Sequence, residues 1–300
     1  MNPAMKSTLN VVTLIVFFSL ISDSAFSQID SLRLRIQQII QHKNARVGIA
    51  IHGMKDDDTV SINGAETFPL FSVVKFPTAI AILHLVDEQK LSLDSNIHFV
   101  KSTLDTFTFS PIRDEITKTE FDLNIRELLY YSVSRSDNIA YEKLVELSGG
   151  INVIGNYVHS LQSDIIIQAT GKDGLTAYTK NTATPIAMNQ LLVKAYREKF
   201  LSQNGYDLLW KLMKATKNAS NRLKGLLPEG AVVMHKPGTS GADNDGVNMA
   251  FNDVGVVLLP NGKHFFISVF ITNSKESDEV NAAIIAEISK AAWDYYRKLD

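Results

Sequence analysis

The sequence predicts an α+β fold: an antiparallel sheet built from both chain ends with flanking helices, and an all-helical segment inserted between its halves. Three observations predict it. Strand-like alternation occurs early, over 45–54 and 59–63, and again late, over 231–235, 247–259 and 263–272. Helical spacing of apolar residues fills most of the interval from 72 to 217. Pro260-Asn261-Gly262 then supplies a hairpin turn between the last two strands. The expected division is one α/β lobe from 28–71 and 226–300, with a helical lobe over 72–225 between them. A cleft between two lobes is a natural place for a small-molecule site.

The elements follow in order. Residues 1–27 read as a secretory signal, with Lys6 ahead of the apolar run 11–21 and small residues Ala25 and Ser27 before the expected cleavage at Gln28. The apolar run is short of the ~20 residues that span a bilayer, so the mature chain is expected to be exported, periplasmic or secreted, with no stable membrane span. Residues 31–42 form an amphipathic helix and 45–54 the first strand. Pro77 falls in the opening turns of a helix over 72–89, where a missing N–H costs little. Helices follow over 125–133, 138–147, 184–198 and 205–217, and Gly149-Gly150 stops the second of these. A terminal helix over 277–298 is capped by Ser277 or Asp278.

Composition narrows the function classes. Thirty basic against 32 acidic residues give a net charge of −2, which leaves no electrostatic footprint for nucleic acid. Cysteine is absent, which removes disulfides, thiolate metal sites and thiol nucleophiles together. The seven histidines show no metal-ligand spacing such as His-Glu-x-x-His, so neither a metal nor another cofactor is expected. The implied partner is a small-molecule substrate, and nothing calls for a second copy of the chain.

Three short segments carry potential chemistry. In Ser72-Val73-Val74-Lys75, the i,i+3 spacing on a helix sets a hydroxyl beside an ammonium. The helix start lends N–H groups to an oxyanion, and a lysine stripped of water can accept the serine proton. Ser136-Asp137-Asn138 lies between two helices and reads either as a helix cap or as a proton relay with a substrate-binding amide. His235-Lys236-Pro237-Gly238-Thr239-Ser240 follows an apolar strand and reads either as a strand end and turn or as a carboxylate-binding edge.

Each segment alone is weak, but their order is specific. Ser-x-x-Lys, Ser-Asp-Asn and a Lys-x-Gly strand, with 64 positions between the two serines and 100 from Ser136 to Lys236, resemble the class A serine β-lactamases. Phe68-Pro69-Leu70-Phe71 before Ser72, Leu91-Ser92-Leu93-Asp94, Thr108 to Ile112, and Arg126-Glu127-Leu128-Leu129 are similar to the family as well. The resemblance covers about 40–298 and implies the β-lactamase/transpeptidase-like fold. It implies roles too. Ser72 would be the nucleophile, Lys75 its base, and Ser136 the donor to the leaving nitrogen. Asn138 would bind the acylamide side chain, and Lys236 with Gly238, Thr239 and Ser240 would form the carboxylate-binding strand. The N–H groups of Ser72 and Thr239 would make the oxyanion hole, and Phe109 would wall the entrance.

Two departures stand out. Pro237 replaces the family's threonine, which removes a hydroxyl and a backbone N–H. No glutamate occurs between Glu146 and Glu198, where the family carries the acid that activates the deacylating water. Ala177, Thr170 or Gly171 would take its position, and Asp173 is the nearest carboxylate, with Asp164 further off. Three functions therefore stay open at this level: a β-lactam hydrolase, a peptidase-like or penicillin-binding acyl-enzyme, and a ligand-binding relative without turnover.

Overall fold

A computed structural model describes residues 28–55, 58–170 and 179–299. The predicted signal (1–27) and Gly171, Asp173 and Ala177 lie outside the described residues. Helix α1 (Gln28–Ile40) leads into strand β1 (Arg46–His52), β2 (Thr59–Ile62) and the short β3 (Phe68–Pro69). A 3-10 turn (Phe71–Val74) passes into α2 (Lys75–Asp87). β4 (Asn96–Val100), α3 (Pro111–Glu115), β5 (Glu120–Asn124), α4 (Ile125–Ser134), α5 (Asn138–Leu147) and α6 (Ile151–Leu161) follow. β6 (Ile165–Ile166), β7 (Thr182–Ala183), α7 (Pro185–Arg197) and α8 (Gln203–Lys214) complete the middle of the chain. β8 (Val232–Thr239), β9 (Phe251–Leu258), β10 (His264–Thr272) and α9 (Asp278–Tyr296) close it.

The main sheet has the order β2-β1-β10-β9-β8, antiparallel throughout. The first strands of the chain thus pair with the last, as the two-ended pattern predicts. Period-two alternation divides each strand between two apolar clusters. On β10, Phe266 and Phe270 join the middle helices, while Phe265, Ile267, Val269 and Ile271 pack with α1 and α9. On β8, Met234 belongs to the first cluster and Val233 to the second, so Lys236 and Gly238 share the face of Met234.

Several elements escaped the sequence reading. The pairs β4–β5 and β3–β7–β6 form two small sheets, and α6 follows the Gly149-Gly150 stop. β8 also runs to Thr239, four residues past the predicted end, straight through Pro237 and Gly238. The register explains this. Ser240 N–H donates to the Ala250 carbonyl, so the even-numbered positions of β8 pair with β9 and the odd ones turn to the open sheet edge. Pro237 therefore sits where no partner strand needs its N–H.

Candidate active site

The site begins with a strained turn. Phe71, buried, has φ +47, a left-handed conformation that bulky residues avoid at a cost of about 1–3 kcal/mol. The surrounding packing fixes it. Asn252 Nδ2 on β9 donates to the Pro69 carbonyl at 2.9 Å and to the Leu70 carbonyl at 3.3 Å. Leu70 N–H donates to the Asn181 carbonyl at 2.8 Å. Gly238 lets β8 press on this turn, since a Cβ there would lie 2.7 Å from the Leu70 carbonyl oxygen and 3.0 Å from the Val73 nitrogen. Ser72 sits on the 3-10 turn and Lys75 opens α2, a sharper arrangement than the single predicted helix that still makes the two side chains neighbours.

Lys75 is the hub. Its Nζ lies 3.1 Å from Ser72 Oγ and donates to the Ser136 carbonyl at 2.7 Å and to Asn138 Oδ1 at 2.6 Å, with Ser136 Oγ at 3.5 Å. The side chain is 1% exposed. Burial pushes its ammonium down to about 7, against the opposing pull of Asp137 and Glu142. A lysine at that value exists as a free amine at neutral pH in useful amount, which is what a base for a serine hydroxyl requires.

The Ser136-Asp137-Asn138 turn caps a helix and sets Ser136 and Asn138 against Lys75. Asp137 is the N-cap of α5, accepting from Ala140 N–H at 2.9 Å. Its other oxygen accepts from Ser110 Oγ at 2.8 Å and Ile112 N–H at 2.7 Å, which ties down the loop that carries Phe109. Ser136 takes φ +58, and this turns its hydroxyl between two lysines. Lys236 Nζ donates to Ser136 Oγ at 3.0 Å and to the Pro237 carbonyl at 2.9 Å. Lys236 is fully buried; burial first, then the nearby Lys75, hold it well below the ordinary lysine value, while Asp253 pulls the other way. Asn138 Nδ2 donates to Thr108 Oγ1 at 2.8 Å, which orients the amide.

These groups meet in an open cleft of about 480 Å³, lined by Ser72, Phe109, Ser136, Asn138, Pro237, Gly238 and Thr239 among others. Phe109 is 56% exposed at the rim. Ser240 is placed differently: its hydroxyl donates to the Gly241 carbonyl at 2.7 Å and accepts from Ala250 N–H at 3.0 Å, and it is not among the cleft-lining residues.

The sequence reading missed Arg222. The residue is 6% exposed, lies in the cleft wall and stacks on Phe251 at 3.6 Å. Its Nη2 donates to Thr239 Oγ1 at 2.5 Å and its Nη1 to the Asn252 carbonyl at 2.8 Å. Burial brings its guanidinium down to about 10. No motif marks it; a lone arginine in a polar connection (KNASNRLK) gives no signal until β8 and β9 fold against it. Asp164 is exposed beside Ser163 and does not line the cleft, and Thr170 carries no carboxylate. Among the described residues, no cluster of His, Asp or Glu is arranged to hold a metal ion.

Comparison with known proteins agrees with this geometry. The model of the "Beta-lactamase enzyme family" matches residues 31–296. Beta-lactamase VEB-1 of Pseudomonas aeruginosa is 43% identical over 293 residues, covering 95% of this chain and 96% of that protein. Extended-spectrum beta-lactamase PER-1 of the same organism is 36% identical, covering 99% of this chain and 97% of its own length. The crystal structure of TLA-1 extended-spectrum beta-lactamase superposes with a TM-score of 0.86 at 40% identity, over 91% of this chain and all of that one. The chain belongs to the beta-lactamase enzyme family, in its class A serine branch.

Proposed function

We propose that the protein hydrolyses β-lactams through an acyl-enzyme on Ser72. The observation that carries this reading is the contact of a buried Lys75, lowered to about 7, with Ser72 Oγ at 3.1 Å. Neutral Lys75 takes the Ser72 proton as Oγ attacks the lactam carbonyl. The N–H groups of Ser72 and Thr239 steady the developing oxyanion; Thr239 occupies an odd-numbered position of β8, whose N–H turns to the open edge. The lactam C–N bond then breaks, and the nitrogen takes a proton from Ser136 Oγ, which sits between the Lys75 and Lys236 ammonium groups and is resupplied by them. Water finally cleaves the ester, frees the product acid and returns Ser72.

Lys236, Arg222 and Thr239 form the carboxylate-binding side of the cleft, Asn138 receives the acylamide group, and Phe109 covers the entrance. The lost hydroxyl at Pro237 is offset by the Arg222 guanidinium next to Thr239. With no glutamate between Glu146 and Glu198, hydrolysis of the ester is the slow step. The two lobes, 28–71 with 226–300 and 72–225, enclose the cleft. Residues 1–27 direct export, and no described helix is long and apolar enough to cross a membrane.

Nitrocefin turnover by the purified protein tests the proposal. Sustained hydrolysis that disappears in Ser72→Ala supports it. Hydrolysis that survives Ser72→Ala, or no reaction with the wild-type protein, overturns it.

A further inference from the structure

On the face of β8 turned away from Ser72 lies a buried charge cluster that the acyl-transfer steps do not touch. Among the described residues, two carboxylates are fully buried, Asp137 and Asp253. Asp137 sits under Lys75 and raises its proton affinity. Asp253 stands opposite Pro237 in the β8–β9 register and does the same for Lys236 and for Arg222. Each buried lysine of the cleft thus has one buried aspartate behind it.

Asp253 is clamped. Both of its oxygens lie 2.9 Å from His235 Nδ1, and Leu223 N–H donates to Oδ2 at 3.3 Å. His235 is 3% exposed and directly precedes Lys236, while Leu223 directly follows Arg222. The clamp therefore joins the two segments that carry the cleft's carboxylate-binding cations. The charged groups around Lys236 are Lys75, Arg222 and Asp253, with Asp278 acting on Arg222 from the start of α9. Two buried cations with a third nearby repel one another unless an anion stands close to them.

We propose that Asp253, held by His235 and by the Leu223 N–H, is a positioning residue that ties the β8 segment of Lys236 to the segment of Arg222, so that the two cations together select substrates bearing a carboxylate. The inference rests on the β-lactam reading only for the identity of that substrate. Without the Asp253 charge, Lys236 loses its proton at lower pH, and a neutral amine no longer attracts an anion.

The test uses the full-length protein, Asp253→Asn and ¹³C-labelled lysine. NMR titration of the Lys236 side chain is expected to show its midpoint fall by about one pH unit, a tenfold shift in protonation. In parallel, the acylation-rate ratio for benzylpenicillin over its methyl ester is expected to fall about tenfold, since the ester loses only the proton that Lys236 returns to Ser136, while the acid loses its anchoring cation as well. His235→Leu, which strips the clamp, moves both readouts the same way, and His235→Asn, which keeps a donor, restores them. This second pair decides the matter if Asp253→Asn does not fold. An unmoved Lys236 titration and an unmoved ratio in folded Asp253→Asn or His235→Leu overturn the proposal. Failure of the β-lactam reading looks different: the wild-type protein is not acylated at all, while the NMR titration still reports on Asp253.

Discussion

Lowering the pH from about 7 to about 5.5 is expected to slow acylation of Ser72 about 16-fold. The figure follows from Lys75. With its value at about 7, half of the side chain is free amine at pH 7 and only about 3% at pH 5.5. An ordinary lysine would offer roughly three parts in ten thousand at pH 7, so burial enlarges the pool of active base by a factor of roughly 1,600. The same shift has a stability consequence with a definite sign. The unfolded chain holds the Lys75 proton up to about pH 10.5 and the folded chain releases it near 7. Folding stability from this group therefore rises as pH climbs from 7 towards 10.5, by roughly 5 kcal/mol in total, and the cost of the buried cation is felt fully below 7. The assay is stopped-flow acylation under single-turnover conditions across this range. A rate that varies less than twofold between pH 5.5 and 7 would refute Lys75 as the base.

Three further outcomes are expected. Gly238→Ala drives a methyl group against the Leu70 carbonyl, 2.7 Å from where its Cβ would sit, and should destabilise the fold by about 1–3 kcal/mol while displacing Ser72; thermal melting and the acylation rate check both effects. Pro237→Thr restores a hydroxyl at a strand edge whose N–H has no β9 partner, and should tighten carboxylate-bearing substrates by about 1 kcal/mol, roughly fivefold in KM, with little change in melting temperature. Asp137→Ala removes a helix cap and the acceptor for Ser110 and Ile112, and should cost about 2–4 kcal/mol in denaturant unfolding.

Local pattern carried the site a long way. Ser72 and Lys75 are neighbours for the i,i+3 reason given, even though a 3-10 turn replaces the first turn of the expected helix. The Ser136-Asp137-Asn138 turn needed no tertiary knowledge to be placed between two helices. Tertiary contact decided the rest. Pro237 and Gly238 look like strand breakers, and only the β8–β9 register shows that one has no partner to lose and the other is required by the Leu70 carbonyl. Ser240 is turned into the backbone at the end of β8 because Ala250 lies across from it, a pairing invisible in the motif itself. Arg222 and Asp253 are far apart in sequence from the motifs they support, and their roles exist only once β9 is laid beside β8. The α6 helix has a legible apolar spacing, Ile151, Ile154, Val158 and Leu161, but the double glycine ahead of it reads as a stop and masks its start.

The proposed acyl-enzyme at Ser72 forms quickly and is hydrolysed more slowly. Intact-protein mass spectrometry of samples quenched during benzylpenicillin turnover reads this directly, with peptide mapping to locate the adduct. The expected result is a single adduct on Ser72 that dominates while substrate lasts and gives way to free enzyme once it is consumed. A stoichiometric adduct that persists after substrate is gone, or turnover with no labelled Ser72 at any time, would contradict it.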